Sequence, residues 1–408
     1  MRAIFVNYSH PETPHVSAVR VPRFGEAMAR RGHQIVLITK TFGDNDSPKP
    51  PEQVAKELRQ HDWTVPYHIA CKPVHDPWLH RVRNNHLPMP LRKAVVAWYL
   101  LKREGVFSDW VEGSKPYWDI LVEVFRPEVI WGSFGHVDVL SLARNLALRA
   151  GVQWVMDIKD TWEEFIPKPL RRILARRFTG AAALTVNSLF QAERSAPWFG
   201  KNAQVVYSGG PLDLIADDSP TEKRNGFQIT LVGSTYGIRR LEPFIEALQE
   251  WLTRRLSNER LSITFAYAGG DSEIVKKLFQ KADLCHVEVY GYLPIIRMMK
   301  LCRASAVNCY LWLPSGFHHK LIELLCCRRP VIAYPGECFE AVELAQRIGG
   351  ELHVCGDGTS ISDTLEKLWE CRLDGRNPGD LKALQEFTWD SQATTLDQTL
   401  SQVITGVG

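Results

Sequence analysis

The 408-residue chain lacks any apolar run near the ~20 residues that a membrane-spanning helix needs, so a transmembrane anchor is not expected. It also lacks C-x-x-C and H-E-x-x-H spacings, so its nine cysteines and 13 histidines form neither a zinc ribbon nor a metalloprotease helix, and no metal site is expected. The adjacent Cys326 and Cys327 fall mid-helix and read as packing residues. Thiols without regular spacing fit a reducing compartment. "MRAIFVNYSH" passes straight into a strand rather than a secretory signal, and a cytoplasmic location is expected. There is no internal repeat and no low-complexity tract. Net charge is only +3, but it is unevenly spread. Residues 1–213 carry 28 Lys and Arg against 21 Asp and Glu, and the remainder carries 21 against 25. A basic first half fits an anionic partner such as a membrane surface. Aromatic stacking motifs are missing, and no nucleic-acid partner is expected.

What is present is an alternation of short, nearly all-apolar strands with helices. "RAIFVNY", "RVPRFGEAMARRGHQ" and "IVLIT" make a β-α-β unit with short connections, and "PEVIWGSF", "VQWVMDI", "ALTVNS" and "AQVVYSG" continue it. Strands apolar on both faces belong to a parallel sheet covered by helices. Residues 41–115 differ, being rich in Pro, His, Trp and Arg, with only "LRKAVVAWYLLKREG" firmly helical. They read either as an acceptor-binding lid or as a variable surface excursion. After a polar stretch rich in Gly, Pro and charge, the alternation restarts at "FQITLVGS". The predicted organisation is an N-terminal Rossmann-like domain over 1–210 with its irregular insertion, a linker over 211–226, a second such domain over 227–385 and a C-terminal helix over 386–408. Ligands of open parallel sheets bind at the carboxyl ends of the strands, so a cleft between two facing domains is the expected site.

Two stretches carry chemistry. In "ITLVGSTYGIRRLEPFIEAL" a strand ends at Gly233, and Arg239 and Arg240 sit at the start of the next helix. Glycine lets a phosphate approach the backbone and arginine grips it with fixed N–H groups, although two exposed arginines in a βα loop would look the same. In "LPSGFHHKLIELLCCRRPVIAYPGE", Lys320 and Glu323 are three apart and share a helix face. The amides of Gly316 to His319 at that helix start favour an anion.

These residues bring a family into view. "KLIELLCCRRPVIAYPG" resembles the K-L-x-E-x-[LM]-x-x-x-x-P-V-I-A signature of retaining GT-B glycosyltransferases, the group 1 sugar transferases of the family 4-like type. "LVGSTYGIRRLEPFIEAL" resembles their glycine loop. "VEVYGYLPIIRMMKLCRASAVNCYL" is similar to their G-x-[VL]-P segment, and "VMDIKDTWEEF" to the D-x-R-D-x-W element of bacterial members. The resemblance implies an α/β GT-B fold and transfer of a sugar from a UDP- or GDP-sugar to a glycan or lipid-linked acceptor, with retention and without metal or cofactor. It makes 1–210 the acceptor domain and 227–385 the donor domain, with the helix over 386–408 crossing back to the first. It places Arg239, with Arg240 beside it, and Lys320 on the diphosphate, Glu323 on the ribose, and Tyr292 at the nucleobase. Gly233, Ser315, Gly316 and Phe317 line the donor site, and Asp160 lies near the anomeric carbon in the closed form. His136 is placed either against the acceptor or as a cap of the next helix. Two departures stand out. Ser315 occupies the position of the first acid of the family's glutamate pair, and Pro14 and His15 replace the usual Gly-Gly loop. A nucleotide-sugar epimerase of the same fold and a catalytically silent binding subunit therefore stay open as alternatives. The basic helix "IPKPLRRILARRFTG" reads as a solvated crossover helix or as a patch for anionic lipid.

Overall fold

A computed structural model describes residues 1–43, 46–210, 226–279, 284–313, 316–371 and 381–406. The chain divides into two compact units, Met1–Tyr207 with Gln392–Gly408, and Ser208–Ser391. Apart from Gly226, the expected linker lies outside the described residues, as does Ser315.

The first unit is built on a seven-stranded parallel sheet. Its strands are β1 (Arg2–Val6), β2 (Gln34–Lys40), β3 (Tyr67–Cys71), β4 (Val129–Phe134), β5 (Gln153–Ile158), β6 (Ala183–Val186) and β7 (Ala203–Val205), in the order β3-β2-β1-β4-β5-β6-β7. β1 and β4 are buried almost throughout, which their uninterrupted Ile, Val, Phe and Trp content requires of a sheet covered on both faces. Gly132 lets the helix Val137–Ala150 lie close on β4, since a Cβ there would meet that of Ala143 at 2.8 Å. The final helix, Trp389–Thr405, is tied into this unit by Arg31, whose guanidinium donates to Asp397 at 3.1 and 3.2 Å.

The stretch expected to be irregular is more ordered than its composition indicates. It contains the helices Pro51–Gln60, Pro77–Arg83, Met89–Lys102 and Ser108–Ser114, and it supplies the edge strand β3. In β3 only Tyr67, Ile69 and Cys71 are buried, a period-two pattern over five residues that is easily hidden among neighbouring prolines. Pro51 and Pro77 each start a helix at a position whose N–H would have no partner anyway, so the prolines punctuate the segment rather than dissolve it.

The second unit repeats the arrangement with six parallel strands: β8 (Phe227–Val232), β9 (Ile263–Ala268), β10 (His286–Tyr290), β11 (Val307–Leu311), β12 (Val331–Tyr334) and β13 (Leu352–Val354), in the order β10-β9-β8-β11-β12-β13. In both units the order reverses direction between two central strands, β1 and β4 in one, β8 and β11 in the other. The loops leaving the carboxyl ends of those strands are where an open α/β sheet takes a ligand.

Candidate functional site

At the end of β8 the chain turns at Gly233, with φ +93, and runs through Ser234, Thr235, Tyr236 and Gly237 into the helix Ile238–Thr253. The loop is clamped to the neighbouring strand. Tyr267 on β9 donates its hydroxyl proton to the Gly233 carbonyl at 2.9 Å, and the Asp271 carboxylate accepts from the Thr235 amide and hydroxyl at 2.8 and 2.9 Å. Gly269 makes room for this clamp, because a Cβ there would stand 2.2 Å from the Gly233 oxygen. Tyr236 is held in the left-handed region at φ 53, a conformation a bulky residue adopts only when its surroundings impose it. The helix that follows starts without a side-chain cap and carries two arginines in its first turn, against the preference of its dipole. Positive charge gathers there by design of the sequence. Arg240 lies over the Tyr236 ring at 5.5 Å, whereas Arg239 is exposed.

Facing Gly233 is Lys320, whose Cε lies 3.8 Å from where a Gly233 Cβ would be. Lys320 opens the short helix Lys320–Leu325, and its ammonium donates to Glu323 Oε2 at 2.7 Å. The lysine side chain is only 15% exposed. Burial works against its charge, but the Glu323 carboxylate outweighs burial and holds the pKa above the ordinary lysine value. Tyr292, 50% exposed after β10, is near enough to act on the same charge.

His318 connects the two halves of this arrangement. Its Nδ1 accepts the Lys320 amide proton at 3.0 Å, so the ring proton sits on Nε2, which donates to the Tyr236 hydroxyl at 3.0 Å. Burial, then His319 and Lys320, depress its pKa well below the usual value and keep it neutral. Trp312, at the end of β11, packs edge-on against both the His318 ring at 4.3 Å and the Tyr236 ring at 5.2 Å, and donates its indole N–H to the Gly316 carbonyl at 2.8 Å. Beneath them the buried Tyr310 donates to Glu337 at 2.6 Å. Burial pushes the Glu337 carboxyl up to about 7, opposed by its hydrogen bonds from Tyr310, Cys338 and the His318 amide.

The first unit gathers a different set at its strand ends. Asp160 follows β5, with Oδ2 3.6 Å from the place of a Gly135 Cβ after β4. Burial raises its pKa and the adjacent Lys159 opposes the rise, while burial lowers that of Lys159. His136 packs between Tyr8 and Phe107, with ring centroids at 5.3 and 4.4 Å, and burial with Lys159 nearby lowers its pKa to about 4. It stands at the start of Val137–Ala150 without bonding the helix amides, so its ring is not a cap. Two residues on, Asp138 is buried with Oδ1 accepting the Phe107 amide at 3.0 Å and Oδ2 unpartnered, and burial lifts its pKa to about 8.

No protein-family model matches the chain, and no curated protein matches it in sequence. Its structure does resemble solved structures. HepE from Anabaena in complex with UDP superposes with a TM-score of 0.63 at 16% identity, covering 98% of this chain and 100% of that one. Sucrose-phosphate synthase from Thermosynechococcus elongatus gives 0.67 at 16% identity over the whole of both chains. An E. coli trehalose-6-phosphate structure bound with UDP-2-fluoro glucose gives 0.64 at 13%, covering 98% and 99%. The chain has the GT-B fold.

Within the second unit of this GT-B chain, Gly233, Arg240, Gly316, Phe317, Lys320 and Glu323 fall on two loop–helix segments joined by the Tyr236–His318 bond. Phe317 is buried and serves packing. Arg239, in the first turn of the same helix as Arg240, is exposed. Of the amides of Gly316 to His319 expected to await an anion, that of His318 is committed to Glu337, and just beyond them that of Lys320 goes to the His318 ring. Sequence reasoning passed over Tyr236, Trp312, Tyr310 and Glu337. The Trp312, Tyr310 and Glu337 side chains lie on or just beyond strands read as plain core. Among the described residues no group of three His, Cys, Asp or Glu is placed to hold a metal ion.

Proposed function

We propose that this protein is a glycosyltransferase. It takes a nucleotide-diphosphate sugar, with UDP or GDP as the leaving group, and passes the sugar to a hydroxyl of a glycan or lipid-linked acceptor with retention at the anomeric carbon. The observation that carries the reading is the convergence of Gly233, the buried Lys320–Glu323 pair and the arginine-bearing helix start at the switch point of the second sheet. In the reaction the bond from anomeric carbon to phosphate oxygen breaks and its electron pair stays on the diphosphate. The acceptor oxygen bonds the same carbon, and its proton passes to the departing phosphate or to water. Lys320 and Arg240 stabilise the charge that develops on the leaving group, where oriented cations in a water-poor site act strongly. Glu323 accepts from the ribose hydroxyls, and Tyr292 offers a face to the nucleobase. Asp160 is kept as the residue expected near the anomeric carbon. No metal or cofactor is needed by this arrangement.

A thermal-shift screen against UDP- and GDP-sugars tests it, because a ligand that binds the folded state raises the melting temperature by mass action. A shift with one nucleotide class, followed by transfer to an acceptor hydroxyl, is the expected result. No shift with any nucleotide sugar or free nucleotide refutes donor binding. A shift accompanied only by an epimerised donor, or by no turnover with any acceptor, replaces transfer with the epimerase or the silent subunit.

A further inference from the structure

The insertion of the first unit leaves a surface that donor chemistry does not use. Residues 77–103 contain six Lys or Arg and no Asp or Glu. In the helix Met89–Lys102, Leu91, Ala94, Val95 and Trp98 recur at the spacing of one helical face. That face is turned to water: Leu91 is 45% and Trp98 49% exposed, Ala94 is exposed and Val95 half-buried. The opposite side of the helix already packs into the core through Tyr99 and Leu100. A helix apolar on both sides, with one side uncovered, is built for something other than solvent.

Tertiary structure joins a second basic helix to this one. Arg177 of Arg171–Phe178 donates to the carbonyls of Leu100 and Leu101 at 3.4 and 2.7 Å, closing the last turn of Met89–Lys102. Arg171 is likewise spent on the carbonyls of Ile166 and Glu163. The side chains left exposed on the second helix are Arg172, Ile173 and Arg176, again cations flanking an apolar group. The basic helix of the sequence reading is therefore half structural, and Arg177 anchors it at the last turn of Met89–Lys102.

We propose that these two helices dock the protein on an anionic lipid bilayer, with Leu91 and Trp98 entering the headgroup region and Lys102, which shares their helix face, Arg172 and Arg176 facing lipid phosphates. An amphipathic helix with tryptophan on its apolar face and cations beside it lies in the plane of such an interface. The charge selects the occupant. A second copy of this face would bring cations against cations, whereas anionic headgroups neutralise them. The surface stands on the geometry of the first unit alone and does not depend on the donor site.

Co-sedimentation of the full chain with phosphatidylcholine vesicles, with and without phosphatidylglycerol, tests it. Binding is expected only with phosphatidylglycerol and is lost at high salt. The variant Lys102→Glu/Arg172→Glu/Arg176→Glu lowers partitioning by at least about tenfold, and Leu91→Ser/Trp98→Ser lowers it comparably. Both variants keep the wild-type melting temperature and the wild-type response to nucleotide sugars, read without vesicles, so that failure of donor binding and failure of docking are told apart. Equal binding to neutral vesicles, wild-type binding by the charge-reversed variant, or no binding at low salt overturns the proposal. So does a dimer that Leu91→Ser/Trp98→Ser dissolves in place of vesicle binding, which would give the face to a second copy.

Discussion

The two units share a strand order and differ in what they bury beneath it. In the first, the wholly buried Asp157 on β5 is gripped by both arms of Arg20 at 2.8 and 3.0 Å and by the hydroxyls of Ser133 and Thr185 at 2.6 and 2.9 Å. Four donors satisfy one carboxylate, which is what burying an ion pair demands. In the second, the corresponding interior holds neutral groups: Gln228 donates to Thr230 and Ser305 at 2.9 Å each, and the two hydroxyls bond at 2.6 Å. Its charges stand at the strand ends, where Lys320, Glu323 and Arg240 gather. One topology thus accommodates a charged core and a charged mouth. Charge spent in the first core is structural, and charge gathered at the strand ends of the second is where the proposed donor site stands.

That contrast can be broken by substitution. The largest effect is expected at the first core. Asp157→Asn leaves the Arg20 guanidinium buried without its counter-charge and should cost about 3–5 kcal/mol in urea unfolding, whereas Ser305→Ala in the second should cost about 1–2 kcal/mol. Equal losses would erase the distinction. Next, Lys320→Ala should lower transfer by about 10²–10³-fold. The double variant Lys320→Ala/Glu323→Gln should do the same without an unpaired carboxylate. Near-normal turnover by both would remove Lys320 from the leaving group. The smallest effect is one of pH. The folded pKa of Asp138, about 8, lies above that of an ordinary carboxyl, so its contribution is complete at low pH and is lost as pH rises towards 8. Relative to wild type, Asp138→Asn should gain melting temperature progressively from pH 5 to pH 8. Parallel curves would mean that Asp138 is ionised in the folded protein throughout.

Much of the fold was legible because β1, β4, β8 and β11 are short apolar runs that only a sheet covered on both faces can bury. The Gly233 loop and the Lys320–Glu323 spacing were legible as well, since a glycine turn before a helix and a three-residue interval have local meanings. β3 escaped because an edge strand alternates over too few residues, among prolines that usually announce loops. Glu337 and Tyr310 escaped for another reason. A glutamate after "YPG" looks solvated until the hydroxyl of a tyrosine 27 residues earlier is found 2.6 Å from it.

By itself the sequence determined the α/β alternation, the existence of two such units and the local apparatus of the second, because apolar period, glycine and charge spacing act over a few residues. Tertiary structure alone decided the rest. It matched Arg20 to Asp157 across 137 positions, set the tautomer of His318 between Tyr236 and Lys320, and consumed Arg177 on the end of a helix far away in the chain. A polar side chain declares a role only once its partner is in place, and burial, which no residue carries alone, fixes how much that partner matters.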